Sequence, residues 1–350
     1  MAIRHMMQKW VKANNGLSWR GKQTQPRCQW LTLILLSLMI NGCATDTTFS
    51  CAPSNLQLNW ASPAELEQTV RRLSSDEFAG RQTETPGAAL TRDYLNHRFT
   101  DIGLTPWGDS FIVPFEYQTG FNKAVGANVV GIAKAKEPTN AWRIVVAHYD
   151  HLGQSGRRIF HGADDNASGV SAMIAIATQW QQLLSRSPDS LPKVNMMFVA
   201  TDAEETGLYG SSALVEQLQQ RMPQAQIQLM LNLDMVGHPS FPYVVYLEGS
   251  KKFSHYGEFR NQLSANNHLC IKLSHPRPVG RSIQNIDWLR ASDHYPFHKA
   301  QIPWLYFGVP THAQYHTPED TADTLDYRFL AAVAESALEL LKLNSELLKN

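Results

Sequence analysis

Between residues 128 and 309 six short apolar runs recur, at 128–132, 144–147, 194–200, 229–233, 244–247 and 303–309. All are of strand length, and helical patterns near 168–184 and 211–220 separate some of them. Strands that alternate with helices build a mostly parallel sheet, because each parallel crossover needs a helix packed on a face. The expected fold is therefore α/β, a three-layer sandwich in which a mostly parallel mixed central sheet carries helices on both faces. Two helices should precede it. One starts at Ser62-Pro63-Ala64-Glu65, with Ser62 as N-cap, and carries Leu66, Val70 and Leu73 at helical spacing. The other follows Thr85-Pro86-Gly87 and carries Leu90, Tyr94, Leu95 and Phe99. A closing helix is expected over 327–348.

In such sheets ligands bind beyond the carboxyl ends of the strands, so polar groups that follow the apolar runs should converge. Five clusters do follow them. In Ala147-His148-Tyr149-Asp150 the side chains two apart point the same way. His148 can therefore ligate a metal with Asp150 behind it as an orienting carboxylate. Gly162-Ala163-Asp164-Asp165-Asn166-Ala167-Ser168-Gly169 leads into a helix, where Asn166 or Ser168 can cap and an aspartate can bridge metals. Ala203-Glu204-Glu205-Thr206-Gly207 offers two diverging carboxylates. One can bind metal while its neighbour faces the reacting water as general base. Asp234 ends the run 229–233, and His316-Thr317-Pro318-Glu319-Asp320 follows the last one. Taken singly, each cluster also suits an ordinary strand end, helix cap or solvated surface. Their order along one sheet does not.

Two histidines and several carboxylates, with no sulfur, form a donor set that suits zinc, with manganese or cobalt as substitutes. The set is large enough for two metals that share one carboxylate, and a single metal would leave carboxylates crowded without compensation.

With these motifs, and with Phe78-Ala79-Gly80-Arg81 and Thr85-Pro86-Gly87 upstream, the chain from Glu77 onward resembles the secreted and vacuolar di-zinc aminopeptidase family. The resemblance implies a zinc-peptidase domain, two Zn2+ per chain and peptide substrates. It implies His148 and Asp234 on one metal, Glu205 and His316 on the other, Asp165 as the bridge and Glu204 as the catalytic base. It also implies a cis peptide between Asp165 and Asn166. In Ser292-Asp293-His294-Tyr295-Pro296-Phe297, Asp293 or His294 could line the cleft or simply pack. Gln301 stands where that family commonly has glycine, so the local turn could differ. A glutaminyl cyclase-like acyltransferase with one zinc, or a carboxypeptidase or amidohydrolase of the same fold, are the alternatives.

Near the N-terminus, Lys9, Lys12, Arg20, Lys22 and Arg27 precede an apolar run over 30–40, which is short for a membrane span. Ile40-Asn41-Gly42-Cys43 resembles a bacterial lipobox. The expected organisation is an export signal over 1–43, a tether over 44–55 and one catalytic domain over 56–350. The expected location is the periplasmic side of a bacterial membrane, anchored by lipid at Cys43. Cys51 and Cys270 can pair in an oxidising compartment, but the expectation is two unpaired, inert thiols. Lys plus Arg equal Asp plus Glu at 31 each, so no basic surplus points to nucleic acid.

Overall fold

Residues 144–147 and 196–200 are apolar without a break and fully buried, the pattern of strands covered on both faces. The computed structural model describes residues 50–249, 253–276 and 286–348, all within the unit Phe49–Asn350. The expected export signal, Cys43 and the start of the tether lie outside the described residues.

The described strands are β1 (Thr105–Pro106), β2 (Ile112–Thr119), β3 (Asn122–Ala133), β4 (Ala141–His148), β5 (Gln154–Ser155), β6 (Arg158–Ile159), β7 (Asn195–Thr201), β8 (Gln226–Leu233), β9 (Val244–Glu248), β10 (Cys270–Lys272) and β11 (Trp304–Gly308). Nine of them form one sheet in the order β1-β3-β7-β4-β8-β11-β9-β10, with β2 paired to β3. The central ladder β7-β4-β8-β11 is parallel, and antiparallel pairs flank it at β3–β7 and β9–β11. The sheet is therefore mixed with a parallel centre, as expected.

The helices are α1 (Pro63–Leu73), α2 (Pro86–Ile102), α3 (Gly169–Arg186), α4 (Tyr209–Arg221), α5 (Tyr256–Asn267), α6 (His294–Lys299) and α7 (Tyr327–Lys342). Alternation along β4 assigns the two faces. Val145 and Ala147 join the core made with α1, α3 and α7, while Ile144 and Val146 join Leu214 and Leu218 of α4 and Phe297 of α6. Ser62 accepts from the Glu65 N–H and Thr85 from the Ala88 N–H, so both predicted N-termini are capped.

Four expectations are corrected or completed. No strand is expected over 112–119, yet β2 forms there, largely exposed and paired antiparallel with β3. Leu90 points outward from α2 at 39% exposure rather than into the core. The closing helix stops at Lys342. Finally, Cys51 and Cys270 are joined in a disulfide across a sequence separation of 219. Their Cα atoms lie 5.7 Å apart, within the span a bridge requires. The unpaired reading fails because folding, not sequence proximity, makes them neighbours.

Candidate metal centre

The expected convergence occurs at the carboxyl edge of the parallel ladder. His148 is the last residue of β4, Glu204 and Glu205 follow β7, and Asp234 follows β8. His316 comes from the loop after β11, and Asp165 from the segment that enters α3. Three of the turns carrying these groups place a non-glycine residue in the left-handed region: Ala203 (φ 55°), Met235 (φ 56°) and His316 itself (φ 57°). Such backbone is kept only where the surroundings enforce it. The Asp165–Asn166 peptide is cis. Asn166 caps α3 by accepting from the Gly169 N–H, and it also accepts from the Met235 N–H. Ser168 makes no such cap and instead donates to the Asp164 carbonyl.

The side chains form two sets that meet at Asp165. His148 Nε2 lies 3.3 Å from Asp165 Oδ1 and 3.3 Å from Asp234 Oδ1. His316 Nε2 lies 3.0 Å from Asp165 Oδ2 and 3.2 Å from Glu205 Oε2. Each aspartate oxygen thus faces a different set. Donors about 2.0–2.1 Å from a tetrahedral zinc lie about 3.3 Å from one another, so both sets have the spacing of ligand atoms. His316 Nε2 is buried and close to two carboxylates, yet it is aligned to hydrogen-bond neither. Atoms that converge on a shared point, rather than on each other, leave this pattern. The residues fit zinc at both sets.

Without a cation, protons must supply the positive charge. Burial opposes a charge on His148, but Glu204, Asp234 and Asp165 outweigh it and push the ring well above the usual histidine range. Burial likewise opposes charge on His316, and Asp165 and Glu205 push it up to about 10. Burial would raise Asp165, yet His148 and His316 hold it well below the ordinary carboxylate range. Glu204 is the exception. Burial pushes its carboxyl well above the usual value, and Glu205 and Asp234 add to that against the pull of His148. A carboxyl lifted in this way is suited to take and return a proton.

Asp150 departs from its expected part. Its carboxylate stays 3.8 Å from His148 Nδ1 and accepts instead from the N–H groups of Glu204 (3.1 Å) and Glu205 (3.2 Å). The ring of His148 is held by Asp150 all the same, through Nδ1–H donated to its backbone carbonyl at 3.2 Å. Asp293 and His294 are fully buried. Asp293 accepts from Thr201 Oγ1, and His294 donates Nε2–H to the Trp288 carbonyl at 2.9 Å, so both pack rather than line the cleft. Gln301 keeps a left-handed turn (φ 60°) without the glycine.

Three buried groups that sequence reasoning missed hold the site together. Arg81 donates to the carbonyls of Leu73, Tyr149, His161 and Gly162, all at 2.7–2.8 Å. It thereby clamps both segments that carry His148 and Asp165. Asp320 accepts from the N–H groups of Asp164 (2.9 Å) and Asp165 (3.1 Å). His151 places Nδ1 2.9 Å from Glu205 Oε1. Arg81 and Asp320 were signalled only by membership in motifs noted for their neighbours, and His151 lay one residue past such a motif.

A cavity of about 240 Å³ opens over His148, Asp165, Glu204, Glu205 and Asp234. Met235, Trp288, Tyr306, Val309 and Tyr315 also line it. Tyr315 also stacks on His316 with ring centres 3.8 Å apart.

Residues 128–341 match Peptidase family M28. Aminopeptidase YwaD of Bacillus subtilis is 31% identical over 214 residues, which is 58% of this chain but only 41% of that relative's length. Among solved structures, a zinc aminopeptidase from Bacillus subtilis is similar over 83% of this chain and 98% of its own, with TM-score 0.59 and 17% identity. A glutaminyl cyclase from Fimbriiglobus ruber is similar over 82% of this chain and 96% of its own, with TM-score 0.63 and 17% identity. At these identities the two structures speak for the fold alone.

Proposed function

Because the chain belongs to Peptidase family M28, we propose that it is an aminopeptidase that works with two zinc ions. The observation that carries this reading is the division of Asp165 between two ligand sets, His148 with Asp234 and His316 with Glu205. The residues of these two sets would hold the ions, whose Lewis acidity would polarise the scissile carbonyl and lower the pKa of the attacking water. Glu204 would accept the proton of that water and return it to the leaving amine. Asp150 keeps Glu204 and Glu205 in place through their backbone N–H groups. Trp288, Tyr306, Val309 and Met235 give the cavity a wall that suits an apolar side chain of the substrate.

The first test pairs metal analysis with aminoacyl reporter substrates. About two zinc per chain and hydrolysis that stops when the substrate amine is acetylated are expected. One zinc per chain, or equal turnover of the acetylated substrate, refutes the reading. An N-terminal glutaminyl peptide distinguishes the cyclase-like alternative by cyclising.

We also propose that the protein is exported and lipid-anchored at Cys43. The Cys51–Cys270 disulfide supports an oxidising compartment. Cys43→Ser should release the protein from the membrane fraction, and unchanged association would exclude the anchor.

A further inference from the structure

His151 stands three residues after His148 and has no part in the mechanism above. Its side chain is completely buried. Its ring rests on Gly162, where a Cβ would approach Cγ and Cδ2 of the imidazole to 2.6 Å. Gly162 also has φ +58°, so two separate demands keep this position free of a side chain. The seat is therefore shaped for a ring.

The two ring nitrogens are not equivalent. Nδ1 lies 2.9 Å from Glu205 Oε1 but 3.8 Å from Asp165 Oδ2, while Nε2 is buried with no partner. A proton on Nε2 would leave a buried N–H without an acceptor and turn a bare Nδ1 lone pair toward a carboxylate oxygen. A proton on Nδ1 avoids both costs and donates to Oε1. A protonated Nδ1 cannot ligate a metal. The oxygens of Glu205 are thus divided, Oε1 toward His151 and Oε2 toward His316 at 3.2 Å.

We propose that His151 is a positioning residue for one metal only: it holds Glu205 by Oε1 so that Oε2 alone is offered to the ion shared with His316 and Asp165. This inference rests on the two-metal reading. Glu205 belongs to the His316 set alone, so an ion held by His148 and Asp234 should be far less affected. Partners that orient a ligand in this way typically change metal affinity about 10–100-fold when removed.

The test measures zinc binding by chelator competition, together with the visible spectrum of the cobalt-loaded protein, in wild type, His151→Phe and His151→Asn. Phenylalanine fills the seat without a donor, whereas asparagine places an amide N–H near the position of Nδ1. In His151→Phe one zinc should bind as in wild type and the other about 10–100-fold more weakly, with the cobalt spectrum changed only for the weaker site. In His151→Asn much of that affinity should return. The inference is overturned if His151→Phe binds both ions as wild type does, if both sites weaken alike, or if His151→Asn is no better than His151→Phe. Should the phenylalanine variant fail to fold, as judged by circular dichroism, His151→Asn alone decides: second-site loss below that of Glu205→Gln supports the role, and equal loss refutes it. A wild-type protein that takes one zinc refutes the two-metal reading itself, which separates that failure from failure of the role assigned to His151.

Discussion

Replacing Arg81 by methionine isolates what a single buried cation contributes to this site. The guanidinium makes four short bonds to backbone carbonyls, those of Leu73, Tyr149, His161 and Gly162. Bonds from a charged donor contribute about 1.5–3 kcal/mol each, so about 6–8 kcal/mol is at stake at the lower end of that range. Against this stands the cost of burying the charge. Burial pulls the guanidinium from its ordinary range down to about 10, even with Asp320, Asp165, Asp150 and Glu205 nearby to favour the cation. At about 1.36 kcal/mol per unit that offsets roughly 3 kcal/mol. The expected net loss is about 3–5 kcal/mol, in the range for removal of one partner from a buried charged network.

Urea unfolding of wild type and Arg81→Met, in chelator to exclude metal stabilisation, measures the difference directly. Arg81→Lys should recover less than half of it, since an ammonium cannot reproduce the fork that reaches four carbonyls. A loss below about 1 kcal/mol for Arg81→Met, with an unchanged m-value, would show that the carbonyls find other partners and that Arg81 is not the clamp. Zinc affinity should fall in the same variant, because the segments carrying His148 and Asp165 both hang on this side chain.

Glu204→Gln should keep the wild-type zinc stoichiometry while kcat falls about 10²–10⁴-fold, and retained turnover would remove Glu204 from the proton path. His294 is buried and held down to about 4, chiefly by desolvation. The unfolded chain therefore takes up this proton near pH 6.5 and the folded chain does not, so stability should fall by up to about 3 kcal/mol as pH drops from about 6.5 to 4. His294→Gln should flatten the urea-unfolding profile over that window, and parallel profiles would exclude the effect. Reduction of the Cys51–Cys270 bond, or its replacement by two serines, releases a loop with a separation of 219 residues. The chain-entropy limit is about 5 kcal/mol, and calorimetry with and without reductant should show a lower Tm. An unchanged Tm would mean that the N-terminal segment is held without the bridge. Glu335 already accepts from the N–H groups of Asn59, Trp60 and Ala61, which makes a partial loss the expected result.

Four of the residues legible from sequence share one property: each sits at or just past the end of an apolar strand, where the topology of a parallel sheet forces convergence. His148, Glu204, Glu205 and Asp234 could be named without knowing a single contact, and Asp165 and His316 by their place in the same order. What lay hidden acts across sequence distance and through loops. Three of the four carbonyls that Arg81 binds lie 68 to 81 residues away, and Asp320 binds N–H groups 155 and 156 residues away. Neither separation has a periodicity to reveal it. Asp150 shows the same limit at short range. Two-residue spacing correctly placed it beside His148, but which of its oxygens faces the ring depends on a register that only the packed β4–β7 ladder sets. His151 was hidden differently, since a histidine in a loop beside a ligand is an ordinary surface residue until Gly162 is seen beneath its ring. Sequence therefore identifies the groups that chemistry needs at strand ends. The groups that fix their orientation are chosen by how loops pack, and in this site those include the only guanidinium clamp on both ligand-bearing segments among the described residues.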